Sequence, residues 1–172
     1  AGLFTILARQ KITKVFQIFT KGGIMTDIEL LKTSLKSAMA VYQNVLDNET
    51  DCITNIATKL GDILEAGGTI YLCGNGGSAA DAQHIAAEFV GRFLRERKAL
   101  PAQALTVNTS ILTAIGNDYD FSQIFSRQVK AMVTAKDALV GISTSGKSVN
   151  VLEAIKEAKN IGALTVAFTG LP

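Results

Sequence analysis

Short apolar runs alternate with helical stretches from Thr69 to Phe168, which predicts an α/β domain with a doubly wound parallel sheet flanked by helices. Two further observations point the same way. Apolar residues recur at helical spacing upstream of the first strand, and glycine- or hydroxyl-rich loops follow two of the strands. In an open parallel sheet those strand ends are where ligands bind. The chain has 172 residues, the usual size for one domain, and 48% of them are hydrophobic, enough for one core. Only 19% are charged, which suggests that part of the exterior is buried between subunits.

From Thr26 to about Ala66 the pattern is helical, with Ile28, Leu30, Leu31, Leu35 and Ala38 at helical spacing. Asn48-Glu49-Thr50 offers a break with caps, and a second helix follows that turns Ile53, Ile56, Leu60, Ile63 and Leu64 inward. Gly67-Gly68 stops it. Thr69 to Cys73 is the first strand, the loop Gly74-Asn75-Gly76-Gly77-Ser78 ends it, and Ala79 to Phe93 is a helix. Ala104 to Val107 is the second strand, followed by a short helix from Thr109 and a turn at Gly116-Asn117-Asp118. Phe121 to Val133 is helical, and Ala138 to Ile142 is the third strand. The loop Ser143-Thr144-Ser145-Gly146-Lys147-Ser148 leads to a helix over Val149 to Asn160, and Ala163 to Phe168 is the fourth strand.

Residues 1 to 24 stand apart. Lysines and an arginine interrupt their apolar residues, so they hold neither a membrane span nor the apolar core and cleavage site of a signal peptide. Met25-Thr26-Asp27 reads as a natural helix start, which makes residues 1 to 24 an expected extension and residues 25 to 172 the domain.

Seventeen basic and fifteen acidic residues give a net charge of +2, with no run of like charges. Neither nucleic acid nor a membrane is therefore expected as a partner. The two cysteines, Cys52 and Cys73, make no disulfide framework, and this usage fits the reducing cytoplasm. Cys73 lies in an apolar strand and reads as buried filler.

The two loops carry the chemistry. Three glycines in the first let backbone approach a ligand closely, and four hydroxyls in the second stand directly before a helix start. Hydroxyls and N-terminal amides together cradle a phosphate without net positive charge. The plainer alternative is that the serines cap a helix and the glycines turn the chain. Residues 141 to 148 also satisfy G-x-x-x-x-G-K-S, the nucleotide-binding P-loop pattern. Two features argue against it: Gly141 falls inside the third strand, and no later strand ends in an Asp able to hold magnesium.

His84, the single histidine, shares a helix face with Glu88 four residues on. Such a pair offers two ligands to a divalent metal such as zinc, or a carboxylate that moves protons beside a sugar. It is equally a surface pair, and Arg92 is an alternative partner for Glu88. Asp81 and Gln83 add polar character to the same helix.

The run Cys73-Gly74-Asn75-Gly76-Gly77-Ser78 through His84, Glu88, Gly91 and Arg92 resembles the phosphoheptose isomerase family of sugar isomerase (SIS) domains. Residues 114 to 118, 125 to 129 and 141 to 148 with Asn150 extend the likeness from about Met25 to Gly170. The resemblance implies a flavodoxin-like three-layer fold. It also implies a homotetrameric enzyme that isomerises sedoheptulose 7-phosphate to a heptose 7-phosphate for bacterial surface polysaccharides such as lipopolysaccharide, with one zinc ion per subunit. By resemblance, Ser143, Thr144, Ser145 and Ser148 hold the phosphate, and Asn75, Gly76, Gly77, Asn117 and Asp118 contact the sugar. His84 and Glu88 match two zinc ligands, and Glu88 also matches the base that moves a proton between C1 and C2.

In the family a Gln and a second His on a C-terminal helix complete the metal site, and this sequence has no second histidine. The expectation is that the native protein continues past Pro172 and that the chain as given is a C-terminally truncated fragment without a finished site. The competing reading is a noncatalytic SIS protein that binds the replication initiator DnaA; Glu88 favours the enzyme. A sugar-phosphate-sensing transcriptional domain would need a helix-turn-helix, for which 24 residues are too few.

Overall fold

The computed structural model describes residues 27–170, so the expectations for residues 1 to 24 lie outside the described residues. The described residues fall into two compact units, divided between Asn55 and Ile56. Helix α1 spans Asp27–Asn48 and α2 spans Thr50–Glu65, with the expected break falling on Glu49. In the first unit the apolar residues Ile28, Leu31, Leu35, Met39 and Leu46 of α1 are exposed, as is Ile53, which the spacing had turned inward.

The second unit holds the sheet. Its elements are β1 (Ile70–Gly74), α3 (Gly77–Val90), β2 (Ala102–Ala104), α4 (Thr109–Asp118), a 3-10 turn (Phe121–Gln123), α5 (Ser126–Met132), β3 (Ala138–Ser143), α6 (Val149–Ile161) and β4 (Leu164–Thr169). All pairings are parallel and the strand order is β2-β1-β3-β4. This is a doubly wound, three-layer α/β sheet whose order reverses between β1 and β3.

Alternation along the strands divides the core in two. Ile70, Leu72, Val140 and Ile142 face Ala82 and Ala86 of α3 and Ile56, Leu60 and Ile63 of α2. Cys73 and Leu139 face Phe125, Val129, Val151, Ala154 and Ala158 of α5 and α6. Gly141 lies in β3, paired with Cys73 and Ala167. A Cβ there would stand 2.9 Å from Val151 Cγ1 and 3.1 Å from Ile155 Cδ1, so the glycine lets α6 pack close to the sheet. With Gly141 inside a strand and β4 ending at Thr169, the P-loop match is accidental.

Boundaries differ from expectation where tertiary contacts act. The second strand is Ala102–Ala104 rather than Ala104 to Val107, because it is an edge strand registered on Ile70–Leu72. Leu105 N–H still donates to Leu72 O at 2.8 Å, after which the chain leaves for α4. Gly116-Asn117-Asp118 is no turn but the last turn of α4, closed by Tyr119 N–H donating to Ile115 O. The helix expected over Phe121 to Val133 is interrupted at Ile124 and Phe125. There the buried Gln128 amide donates to both Ile124 O and Leu105 O. Helix α3 stops at Val90, short of Phe93, which has φ 47. The Arg97 guanidinium takes its last carbonyls, donating to Glu88 O and Phe89 O at 2.8 Å each.

Candidate functional site

The loops after β1 and β3 meet where the strand order reverses, the place at which open α/β sheets bind ligands. Each runs directly into a helix that no side chain caps. Gly76 precedes α3 with φ 53 and ψ −116, a conformation only glycine adopts without strain. Ser148 precedes α6, but its hydroxyl accepts from Ser143 Oγ at 3.0 Å and makes no helix cap. That observation disfavours the plain capping alternative for this serine. Lys147 N–H donates to Ser145 Oγ at 3.2 Å, and Gly146 N–H donates to Ser143 O at 3.0 Å, so the loop folds on itself. Thr144 accepts Gly170 N–H through its carbonyl.

The two loops are tied to each other. Asn75 Nδ2 donates to Asn150 Oδ1 at 2.8 Å, and Asn150 Nδ2 donates back to Asn75 Oδ1 at 2.8 Å. A groove of about 390 Å³ opens beside this pair, lined by Asn75, Asp120, Phe121, Ser122, Ser148, Val149 and Asn150. Hydrogen bonds from Ser122 hold the Asp120 carboxyl below its ordinary value. Asn117 and Asp118 bond to each other at the end of α4 and do not line the groove. Arg127 stacks 3.9 Å over the neighbouring Tyr119 ring. A slightly larger groove of about 430 Å³ lies at the N-terminal edge of β1 and β2. Its lining, from Thr69 and Tyr71 to Pro101 and Gln103, offers no carboxylate, imidazole or amine.

His84 and Glu88 sit elsewhere. Their side chains approach to 3.4 Å on an open face of α3, half- and one-third exposed. Helix α3 runs back along the sheet, so Glu88 stands roughly 16 Å from the Gly77 end at 1.5 Å per residue. Neither residue lines the groove. Arg92 pairs with Glu96 rather than with Glu88. Asp81 is buried and Gln83 donates to Thr106 Oγ1, so these two are not merely solvated. No group of three or more His, Cys, Asp or Glu fit to hold a metal occurs among the described residues. One imidazole nitrogen and one carboxylate a turn apart suit zinc as two of its ligands and no more.

The family model for the SIS domain matches residues 35–170. The chain belongs to the SIS domain family. Within it, the chain is 52% identical over 143 residues to the phosphoheptose isomerase of Desulfovibrio desulfuricans, covering 83% of this chain and 68% of that relative. It is 49% identical over 143 residues to the phosphoheptose isomerase of Aquifex aeolicus, covering 83% and 75%. Among solved structures, phosphoheptose isomerase GmhA from Neisseria gonorrhoeae matches with a TM-score of 0.79 and 44% identity, over 85% of this chain and 76% of that one. A phosphoheptose isomerase from Francisella tularensis gives 0.82 and 37%, over 86% and 77%. This SIS domain is thus of the phosphoheptose isomerase branch. Nothing in these relatives supports the DnaA-binding alternative.

Two residues of this SIS domain lay outside the residue-by-residue assignment. Asn150 shares the inner face of α6 with Ala154 and Ala158, so a polar side chain on a core-facing stripe was the available signal. Arg97 had none, because its partners are backbone carbonyls eight and nine residues back.

Proposed function

We propose that the protein isomerises sedoheptulose 7-phosphate to D-glycero-D-manno-heptose 7-phosphate. The observation that carries this reading is the 52% identity to a phosphoheptose isomerase over 143 residues, in a chain whose SIS-domain match, residues 35–170, takes in both strand-end loops. The phosphate rests on the loop Ser143 to Ser148, whose hydroxyls and uncapped helix start suit an anion. The sugar extends toward Asn75, Gly76 and Gly77, with Asn117 and Asp118 beyond the groove. Glu88 acts as base: its carboxylate takes the C1 proton of the ketose while O2 gains a proton, giving an enediol. Return of a proton to C2 and loss of one from O1 leave the aldose. The phosphate grip orients the chain and takes no part in the bond changes.

Zinc, implied by the family resemblance, would be held by His84 and Glu88 among the described residues and would supply Lewis-acid polarisation of a substrate oxygen. The proposed assembly is a homotetramer. The exposed apolar residues of α1 support association of copies. The position of Glu88 outside its own chain's groove supports copies sharing a site. A light-scattering mass equal to one chain would refute that assembly. No helix among the described residues is long and apolar enough to cross a membrane. We place the enzyme in the cytoplasm, supplying heptose precursors for surface polysaccharide.

The test is to incubate full-length protein with sedoheptulose 7-phosphate and follow the aldose. No conversion refutes the reading. Glu88→Gln should abolish turnover yet hold substrate affinity within about tenfold, or ~1.4 kcal/mol. Equal loss of both would make Glu88 structural.

A further inference from the structure

We propose that Asn150 is a positioning residue: its reciprocal amide pair with Asn75 joins the glycine loop to the phosphate loop, so that the two grip the sugar phosphate as one rigid unit. The proposal rests on the isomerase reading and deepens it. The two residues are 75 positions apart, and the pair spans the point where the strand order reverses. Each amide both donates and accepts at 2.8 Å, so neither side chain can rotate without breaking two bonds at once. Asn150 is itself buried, at 3% exposure, and its Oδ1 also accepts Val151 N–H at 3.0 Å. The start of α6, the glycine loop and the groove lining are therefore locked together through one side chain. One N–H and one lone pair of the Asn75 amide are held by Asn150, which fixes the direction in which its second N–H and second lone pair face the groove.

Inorganic phosphate needs only the Ser143 to Ser148 loop, whereas sedoheptulose 7-phosphate spans both loops. Calorimetric affinities for both probes, with turnover, in full-length Asn75→Ala, Asn150→Ala and the double variant form a double-mutant cycle. Either single variant should weaken sedoheptulose 7-phosphate or lower kcat by about tenfold while holding inorganic phosphate within about threefold. The double variant should be no more than about twofold worse than the worse single one. Full additivity would mean that the two side chains act independently of each other, and would overturn the proposal. Parallel loss of both ligands, or no effect on either, would overturn it too. Should Asn150→Ala fail to fold, Asn75→Ala at the half-buried partner still reads the split between the two probes. Absent turnover in the unmodified protein refutes the isomerase reading; turnover with additive losses refutes only the coupling.

Discussion

Helix starts in this molecule come in two kinds. Asn108 caps α4 by accepting Ile111 N–H at 3.0 Å, and Asp120 caps the following 3-10 turn by accepting Ser122 N–H at 2.8 Å. Helices α3 and α6, which leave the central strands β1 and β3, have no side-chain cap. Helix α5 also lacks one, but it continues from the 3-10 turn through Ile124 and Phe125 and needs none. The contrast separates capped helix ends from the two uncapped ones at which we propose the ligand binds. A cap satisfies free amides permanently, and an anion site needs them available.

The sharpest way to break this contrast is Ser148→Ala. A hydrogen bond to a charged group is worth about 1.5–3 kcal/mol, so KM for the sugar phosphate should rise on the order of tenfold to a hundredfold. Ser148 caps nothing, so the loss of stability should be confined to the bond it accepts from buried Ser143, about 1 kcal/mol or about 2–4 °C in Tm. A stability loss equal to that of a lost cap, with KM unchanged, would place Ser148 among the structural ends.

Next in size is Gly141→Ala, which drives a methyl into Val151 and Ile155 beneath the Ser143 to Ser148 loop. Overpacking of this kind costs about 1–3 kcal/mol, read as a lowered denaturation midpoint. Unchanged stability would mean that α6 is free to lift away from β3.

Asn108→Ala is the mirror of the serine variant. Loss of that cap should cost about 1 kcal/mol, or about 2–4 °C in Tm, and leave sugar-phosphate affinity unchanged. A change in affinity would merge the two kinds of helix start into one.

The smallest effect tests the wall behind the loops. Burial pushes the Cys73 thiol, one residue before Gly74, up from 9.0 to about 12. A raised value in the folded state favours the protonated form, so its stabilising contribution is complete below pH 9 and is lost as pH rises toward 12. At neutral pH a thiol reagent should label exposed Cys52 and spare Cys73 until unfolding. Rapid labelling of both in the native state would mean that the β1 end opens.

Much of this architecture was legible in the chain. The alternation of apolar runs with helical spacing predicted a parallel sheet, and the strands β1, β3 and β4 fall within a residue of their expected positions. The central strands β1 and β3 are readable because burial on both faces leaves little choice of residue, whereas β4, at the sheet edge, shows only as a short apolar run. Edge strand β2 and the broken helix after Asp120 were misplaced, since register on β1 and the reach of Gln128 to Leu105 set them.

The candidates for chemistry could be read from the chain alone: glycines in a strand-end loop, hydroxyls before a helix, an imidazole and a carboxylate one turn apart. Those properties are local, fixed by covalent structure and spacing. Which of these groups meet was set by the folded core. It paired Asn75 with Asn150 across the sheet, left Ser148 with Ser143 instead of the helix, and carried Glu88 away from the groove of its own chain. Such contacts depend on strand order and helix direction, which arise from packing the whole core and from no short segment of it.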